Sequence, residues 1–415
     1  MQIQIEKTLD VGVVERELAK LWNQTSGAIR PEDEFAVLRA RVANLLVYVA
    51  SESRRTEVSG IIAELTAIHP SRVLLMLGER ETADRDIEMS VETFCQTDKR
   101  TGAKRLSCEQ VTLQAWGQFV AELPSAALPL IVPDLTTFLW WRDALAAGNE
   151  RPDKVFDALL RATDRLVVDS AEFLNPQSNL LALIKLFDEG DYAHVGISDL
   201  NWARLTSWRA LLAGFYDVAA YQPLLDKIDK VRIDYVGHED SPAAVAPQAL
   251  LIAGWLASRL GWSLLSDQTA RENNETVVFD FSTKNRGSSP TVDRGSSPTV
   301  REGFAERAIK LELNYVQRAD GKPGRLVQVE LQSNTGQPAS FAVARSADNL
   351  HLTTEARVGT NVHRGRVVPV RNRSAAQLLA REMEILCNDK IYQEALAVAS
   401  ALIVHAKDTS PFSDR

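Results

Sequence analysis

Cysteine is scarce in this 415-residue sequence, and long apolar runs are missing. Three cysteines, an odd number at wide spacing, exclude the disulfide framework of a small secreted protein. No apolar run reaches the roughly eighteen residues that a membrane helix needs, because Ser258 and Arg259 end the best candidate. The first residues also lack the basic and apolar segments of a signal peptide. We therefore expect a cytoplasmic protein without a membrane partner.

Positive charge is in deficit, since 47 Lys and Arg stand against 55 Asp and Glu and leave a net charge of −8. A chain with this balance repels polyanions as a whole, so no nucleic-acid partner is expected. Apolar residues make up 45% and charged residues 25% of the chain. That ordinary mixture excludes a disordered or fibrous protein, and the length allows two or three domains.

Motifs for nucleotides, metals and covalent catalysis are also absent from the sequence. No G-x-G-x-x-G or G-x-x-x-x-G-K-[ST] run follows a predicted strand, and the first strand-to-helix turn, residues 50–54, has no glycine. Backbone could not approach a pyrophosphate there, and Glu52 would oppose its charge. The six histidines never occur as H-x-x-x-H, and no G-x-S-x-G elbow is present. We expect no catalytic residue, no cofactor and no metal.

Alternating apolar strands and amphipathic helices predict an α/β domain over residues 36–195. The runs 45–49 and 73–77 are apolar at every position, and a helical pattern lies between them. Such strands are buried on both faces, as in a βαβ unit of a parallel sheet covered by helices. The prediction is a three-layer, mostly parallel open sheet. Its other expected elements are a strand at 137–141, a helix at 153–162 and a strand at 165–169.

A hairpin is predicted at the edge of this sheet, because residues 87–95 alternate in polarity and 106–113 form a partner. The connection is polar, basic and contains glycine, as a hairpin tip requires. A turn centred on residues 101–102 would place Cys95 opposite Cys108, close enough for a disulfide. The two cysteines are therefore either a redox pair or two buried thiols, and the second interpretation is favoured in a reducing cytosol.

Residues 196–415 predict a mixed α+β domain. Helical patterns at 202–215 and 249–260 are followed by a β-meander and two closing helices, and Gly261 is a predicted C-cap. The meander strands are expected at 276–281, 308–313, 326–331 and 341–344, and the closing helices at 375–387 and 391–405.

A duplicated segment, RGSSPTV, occurs at 286–292 and again at 294–300. Its serine, glycine and proline content cannot bury enough surface to order the chain, so residues 283–303 predict a mobile loop. A tolerated local duplication is favoured over a docking or phosphorylation role.

Three regions are candidates for a partner interface. The N-terminal arm, residues 1–35, places Leu18 and Trp22 on one helical face, which docks either on its own domain, the favoured alternative, or on a partner. Trp140 and Trp141 are adjacent in a strand and point to opposite faces, so one of them could be exposed, although core packing is favoured. The basic hairpin tip, which would lower the pKa of a nearby thiol, contributes Lys99, Arg100, Lys104 and Arg105.

Six segments in one order carry a family likeness: HPSR at 69–72, CEQVTL at 108–113, LPLIVPDL at 128–135 running on to FLWW at 138–141, DRLVVDS at 164–170, DLNWARL at 199–205 and AGWLASRLGW at 253–262. Together they resemble the OpcA family of glucose-6-phosphate dehydrogenase assembly proteins. The likeness runs from about residue 10 to 262 and more loosely to the C-terminal helices. The duplicated segment is not a feature that we associate with this family.

The resemblance implies a non-catalytic assembly factor and allosteric activator of oligomeric glucose-6-phosphate dehydrogenase, the enzyme that opens the oxidative pentose phosphate pathway and makes NADPH. The family occurs in cyanobacteria and actinobacteria, and in phototrophs it implies thioredoxin as a further partner. The single C-terminal cysteine argues against redox control through a C-terminal pair. The alternative function is an enzyme, or a protein that binds a phosphosugar or nucleotide at the carboxyl ends of its strands.

Overall fold

The computed structural model describes residues 2–5, 11–26, 42–97, 104–145, 153–188, 192–237, 245–265, 270–273, 275–283, 307–318, 321–370, 372–385 and 387–408. The chain forms two compact units, Met1–Ala203 with Asn372–Asp389, and Arg204–Arg371 with Lys390–Arg415. The duplicated segment and its predicted loop lie outside the described residues, apart from Thr283.

The described helices are α1 (Val11–Ser26), α2 (Arg55–Ile68), α3 (Leu123–Ala127), α4 (Lys154–Arg161), α5 (Pro176–Asp188), α6 (Leu200–Arg204), α7 (Thr206–Gly214), α8 (Gln222–Leu225), α9 (Pro247–Leu260), α10 (Ala375–Met383) and α11 (Lys390–Asp408). The described strands are β1 (Gln2–Ile5), β2 (Ala43–Val49), β3 (Ser71–Glu79), β4 (Arg85–Thr97), β5 (Lys104–Trp116), β6 (Thr137–Trp141), β7 (Arg165–Val168), β8 (Gly196–Asp199), β9 (Lys230–Val236), β10 (Trp262–Leu264), β11 (Ala270–Asn273), β12 (Thr276–Thr283), β13 (Ala308–Val316), β14 (Leu326–Ser333), β15 (Ala339–Arg345), β16 (His351–Val358) and β17 (Asn361–Pro369).

The described residues of the first unit form an eight-stranded sheet in the order β1-β4-β5-β3-β2-β6-β7-β8. The strands from β5 to β8 in this order are parallel, whereas β4 pairs antiparallel with both β5 and β1. The predicted mostly parallel sheet and its edge hairpin are confirmed. The strand β8 was not predicted for this domain, which was expected to end near residue 195.

Burial on both faces explains the apolar runs of the central strands. Every residue of β2 and of β6 is buried. On one side α2 covers the sheet with Val58, Ile62 and Leu65, which join the apolar cluster of the unit. The physical cause is the parallel arrangement, in which crossover helices exclude water from the faces of the strands.

The segment Asn372–Asp389 belongs to the first unit, whereas the prediction assigned it to the C-terminal domain. Its helix α10 begins with a capping box between Ser374 and Gln377, and Leu379 and Met383 are buried in the apolar cluster that contains α2. An apolar helix face is more stable against this cluster than in water, which explains why the chain returns.

A buried guanidinium links three parts of the first unit. Arg72 on β3 lies beside Glu109 on β5 in the parallel register, and its Nη2 is 2.7 Å from Glu109 Oε2. Its Nη1 donates to Glu15 Oε1 on α1 at 2.5 Å and to the carbonyl of Leu130 at 3.2 Å. The side chains of Arg72 and Glu109 are 2% and 1% exposed, so neither charge has water as an alternative partner.

The second unit contains a nine-stranded sheet in its described residues, with β11 paired to β12 beside the order β10-β12-β13-β9-β14-β15-β16-β17. The predicted mixed α+β class is confirmed, but the strands do not form one continuous meander. β9 lies between β13 and β14, parallel to the first and antiparallel to the second. The strands β16 and β17, which sequence analysis did not predict, extend the antiparallel part.

A close helix contact explains a glycine in the second unit. A Cβ on Gly254 of α9 would lie 2.1 Å from the carbonyl oxygen of Ala395 on α11. Only glycine permits this approach. The predicted C-cap is also confirmed, since Gly261 has a φ of 68° and its N–H donates to Ala257.

The buried pair on β3 and β5 generates a stability prediction. Arg72→Met leaves the Glu109 carboxylate buried without its countercharge, so we expect the free energy of unfolding to fall by about 3–5 kcal/mol. Glu15→Gln removes only the partner that is 41% exposed and should cost about 1 kcal/mol or less. Urea unfolding of the purified variants measures both values.

The double variant Arg72→Met, Glu109→Leu is the matched control, because it removes both charges and should recover most of the loss. An Arg72→Met variant as stable as Glu15→Gln would show that the pair does not hold the two strands.

Candidate functional site

A cleft lies at the carboxyl ends of β2, β6 and β7 in the first unit. The chain leaves β2 towards β3 on one side and later places β6 on the other side, which makes this point a topological switch. Open α/β sheets bind ligands at such positions. The cavity has a volume of about 230 Å³ and is lined by side chains that include Arg54, Arg142 and Glu172.

The turn between β2 and α2 is closed by the protein's own carboxylates. The backbone N–H of Glu52 donates to Glu79 Oε1 at 3.0 Å, and the Ser51 hydroxyl accepts from the N–H of Ser53. The Glu52 carboxylate binds Arg55 Nη1 and Gln114 Nε2, each at 3.0 Å. A phosphate in this position would compete with Glu79 for the same N–H and meet two negative charges.

The buried guanidinium of Arg142 forms one wall of the cleft. Its side chain is 3% exposed, and Nη2 lies 3.0 Å from Glu57 and also contacts the Glu172 carboxylate. The guanidinium carbon lies 4.9 Å from the centre of the Trp140 ring, within cation–π range. Arg54 donates to the Arg142 carbonyl at 3.4 Å. These contacts hold two positive and two negative charges around the opening.

An aromatic stack supports the cleft, and the adjacent Trp140 and Trp141 are packed in the core, as the favoured interpretation held. The Trp141 ring stacks on Tyr48 with 4.3 Å between centroids and meets Phe156 edge-on at 4.8 Å. Trp140 and Trp141 are 1% and 2% exposed. Neither is therefore a surface residue for a partner, because β6 is a central strand with neighbours on both sides and helices over its faces.

Two carboxylates lie close together at the ends of β7 and β8. Asp199 accepts from the Ser170 hydroxyl at 2.6 Å, the Ser170 N–H at 3.0 Å and the Asn201 N–H at 2.8 Å. Burial, together with the charge of Asp169, raises the pKa of Asp199 to about 6 despite these donors. Asp169 lines the cleft, so the protonation of Asp199 changes the electrostatic potential at the edge of the cleft.

The two hairpin cysteines do not face each other. The register pairs Cys95 with Ser107 and Cys108 with Phe94, and it shifts again between Cys95 and Gln96. The predicted direct opposition assumed a turn centred on residues 101–102, whereas the pairing at both cysteines is offset from that register by one residue. The Cys95 side chain lies outside the described residues.

Cys108 is a buried thiol, as the favoured interpretation held. Its Sγ accepts from the Ser71 N–H at 3.1 Å, and burial raises its pKa to about 11. A thiol with this pKa is a poor nucleophile and a poor redox partner at neutral pH. Cys387 is exposed, because α10 ends at Met383, four residues before it.

Of the six remaining interface candidates, the structure contradicts one and leaves five untested. Leu18 is fully buried, since α1 packs on its own unit with Val14 and Leu21 also inside. It is not an exposed contact for a partner. The other candidates have side chains or backbone outside the described residues: Trp22, Lys99, Arg100, Lys104 and Arg105.

Sequence analysis missed Glu79, Arg142 and Asp199 as residues that shape the cleft. Glu79 and Arg142 lie just after predicted strands, which is a signal that could have found them, whereas Asp199 ends β8, a strand that was not predicted. The described residues contain no group of three or more His, Cys, Asp or Glu arranged to hold a metal ion. In the same described part of the chain, no helix has the length and apolar content to cross a membrane.

The fold and cleft define the first unit as an open α/β domain whose first strand-to-helix turn is closed by its own carboxylates. Family models identify the chain more closely. Residues 63–185 match the N-terminal domain of the glucose-6-phosphate dehydrogenase subunit, and residues 195–396 match its C-terminal domain. The chain belongs to the OpcA family of glucose-6-phosphate dehydrogenase assembly proteins, as the six segments predicted.

Two cyanobacterial relatives carry the provisional name OxPP cycle protein OpcA. The protein of Synechocystis sp. is 27% identical over 350 residues, which covers 84% of this chain and 66% of the relative. The protein of Nostoc punctiforme is 27% identical over 347 residues, covering 82% of this chain and 66% of the relative. The match therefore spans just under two thirds of the length of these relatives.

Solved structures of oxidoreductases show a weak likeness. Glucose-6-phosphate 1-dehydrogenase from Mycobacterium avium superposes with a TM-score of 0.49 and 11% identity over 89% of this chain and 93% of its own. Aldose-aldose oxidoreductase from Caulobacter crescentus superposes with a TM-score of 0.43 and 8% identity, over 89% of this chain and 99% of its own. At scores below 0.5 these likenesses carry no conclusion about function.

The buried carboxyl of Asp199 predicts a pH dependence of stability. Its pKa is raised in the folded state, so its favourable contribution is present below the unfolded pKa, about 3.9, and is lost as the pH rises through about 6. Asp199→Asn should flatten the stability profile between these values by about 3 kcal/mol, which is the difference between about 3.9 and about 6 at about 1.4 kcal/mol per pKa unit. Chemical unfolding from pH 4 to pH 7 measures it.

Asp134→Asn, which changes an exposed carboxyl, should leave that profile unchanged. Parallel profiles for wild type and Asp199→Asn would contradict the assigned protonation.

The hairpin geometry predicts thiol reactivity. Cys108 should resist maleimide in the native protein at pH 7 and react only after unfolding, because it is buried and protonated. Exposed Cys387 should be labelled at once. Peptide mapping by mass spectrometry reads both sites, with Cys387→Ser as the control for the second signal. Equal labelling rates at the two cysteines in the folded chain would contradict the burial of Cys108.

Proposed function

We propose that this chain is a non-catalytic effector that binds oligomeric glucose-6-phosphate dehydrogenase, promotes its assembly and raises its activity. The match of both halves of the chain to the dehydrogenase-subunit family carries this proposal. The names of the cyanobacterial relatives, which refer to the oxidative pentose phosphate cycle, support the same pathway.

The closed turn supports the non-catalytic part of the proposal. In an open α/β sheet the first strand-to-helix turn offers its N–H groups to a cofactor's phosphates. Here one of those N–H groups is engaged by Glu79, and the Glu52 carboxylate is held by Arg55 and Gln114. Opening the turn for a dinucleotide would break these bonds and leave two carboxylates beside the pyrophosphate.

An activator must bind one state of the dehydrogenase better than another, since equal affinity for both states shifts no equilibrium. The basic hairpin tip remains our candidate for the contact, because the side chains of Leu18, Trp140 and Trp141 are buried in their own unit. Thioredoxin is left out of the proposal, since Cys95 and Cys108 are not opposite each other.

The dehydrogenase from the same organism provides the test. We expect this chain to co-elute with it as a larger complex and to lower its apparent KM or raise its kcat. A fivefold change would correspond to a coupling free energy on the order of 1 kcal/mol. Steady-state kinetics against glucose 6-phosphate, with and without the chain, measures the effect.

A variant with Lys99, Arg100, Lys104 and Arg105 changed to Ser should fold and activate more weakly. The matched control changes four exposed basic residues elsewhere, Lys154, Lys185, Lys227 and Arg364, to Ser. Full activation by the hairpin variant would remove the tip from the interface. Absence of both complex and kinetic effect with wild-type protein would refute the proposed function.

A second candidate function is binding of a small polar ligand in the carboxyl-edge cleft. The cavity of about 230 Å³ with Arg54, Arg142 and Asp169 around it favours this candidate. Calorimetry of the isolated chain with glucose 6-phosphate and NADP⁺, repeated with Arg54→Met, tests this candidate, because heat of binding that is lost in the variant places the ligand in the cleft.

A further inference from the structure

Three arginines meet at one end of the sheet in the second unit. Arg318 follows β13, Arg325 precedes β14 and Arg345 ends β15. These positions share an end because β13 runs parallel to β9, whereas β14 starts beside the end of β9 and β15 ends beside the start of β14. We call Arg318, Arg325 and Arg345 the arginine cluster.

Neutral groups hold two of the three side chains of the cluster in place. Arg345 Nε donates to the Leu326 carbonyl at 3.1 Å, and Arg318 Nη2 donates to the Ser346 carbonyl at 3.2 Å. The guanidinium carbon of Arg345 lies 5.8 Å from the centre of the buried Trp208 ring. Each of these two guanidiniums thus reaches a residue adjacent in sequence to another member of the cluster.

The cluster lacks a countercharge within the described part of the chain. There, no carboxylate oxygen lies within 4.0 Å of a guanidinium nitrogen of Arg318, Arg325 or Arg345. Each of the three is partly withdrawn from water. Burial and the charges of Arg325 and Arg318 lower the pKa of Arg345 to about 10, and burial with the charge of Arg204 lowers that of Arg325.

Such an arrangement is electrostatically unfavourable unless an anion joins it. Like charges in a partly buried site repel more strongly than in water. The surplus is local, because the whole chain carries a charge of −8. Three guanidiniums with free N–H donors match an oxyanion that carries two charges and several acceptor oxygens, whereas one carboxylate is satisfied by a single bidentate arginine.

We propose that the arginine cluster binds the phosphate group of a phosphorylated small molecule. Arg318, Arg325 and Arg345 supply N–H donors to the phosphate oxygens, and the carbonyls of Leu326 and Ser346 keep two of the guanidiniums oriented. The site lies in the second unit and does not involve the cleft of the first. It therefore adds a ligand site to the proposed effector.

Inorganic phosphate is the first probe, added to the full chain at neutral pH. We expect saturable binding by calorimetry and a rise in the thermal midpoint that sodium chloride of equal ionic strength does not produce. Arg345→Met keeps the apolar stem over Trp208 and should weaken phosphate binding about tenfold or more, because it removes charge-assisted hydrogen bonds. Arg364→Met, at a side chain 87% exposed, is the matched control and should bind as wild type does.

Circular dichroism checks that Arg345→Met folds, and Arg325→Gln provides a second test if it does not. Glycerol 3-phosphate, compared with glycerol, distinguishes the source of the phosphate, since tighter binding than inorganic phosphate identifies a phosphate ester as the ligand. Equal responses to phosphate and chloride, or equal phosphate affinity in wild type and both cluster variants, would overturn the proposal. These binding experiments contain no dehydrogenase, so a negative result in them would not affect the proposed effector function.

Discussion

The first unit depends on the burial of one guanidinium. Arg72 neutralises Glu109 on the neighbouring strand, binds Glu15 on the N-terminal helix and donates to the Leu130 carbonyl after α3. A buried charge of this kind is costly unless every partner is in place. The parallel register of β3 and β5 and the position of α1 are therefore coupled to one another. This coupling also explains why α1 packs on its own unit.

Four of the segments that indicated the family meet in two pairs within the first unit. HPSR and CEQVTL meet through Arg72 with Glu109 and through the Ser71 N–H with the Cys108 sulfur. DRLVVDS and DLNWARL meet through Ser170 with Asp199. Both contacts join neighbouring strands of one sheet. Together with the turn held by Glu79, they describe an α/β domain whose polar residues are engaged mainly in holding the sheet and closing its edge. The proposed effector function, which acts by binding, needs no reactive side chain in this domain.

Sequence analysis predicted much of the fold, because burial on both faces leaves an unbroken apolar run and a hairpin leaves alternation. The runs at 45–49 and 73–77, the hairpin and the helix before Gly261 were confirmed on these grounds. Contacts distant in sequence were not accessible in the same way. The return of α10 to the first unit, the insertion of β9 between β13 and β14, and the engagement of Glu52 by Glu79 leave no periodic signal. The cysteines show how sensitive such contacts are, since a register offset of one residue pairs Cys108 with Phe94 and not with Cys95.

The amino-acid sequence by itself determined the class of the fold, the lack of nucleotide and metal motifs, and the family. These are properties of local pattern and composition, which neighbouring residues set through propensity and burial. Only the tertiary structure decided which charges are paired. Arg72 and Arg345 are indistinguishable as letters, yet one is enclosed with carboxylates and the other stands among arginines. The physical reason is that the energy of a charge depends on its distance to other charges and to water, and the fold sets both distances.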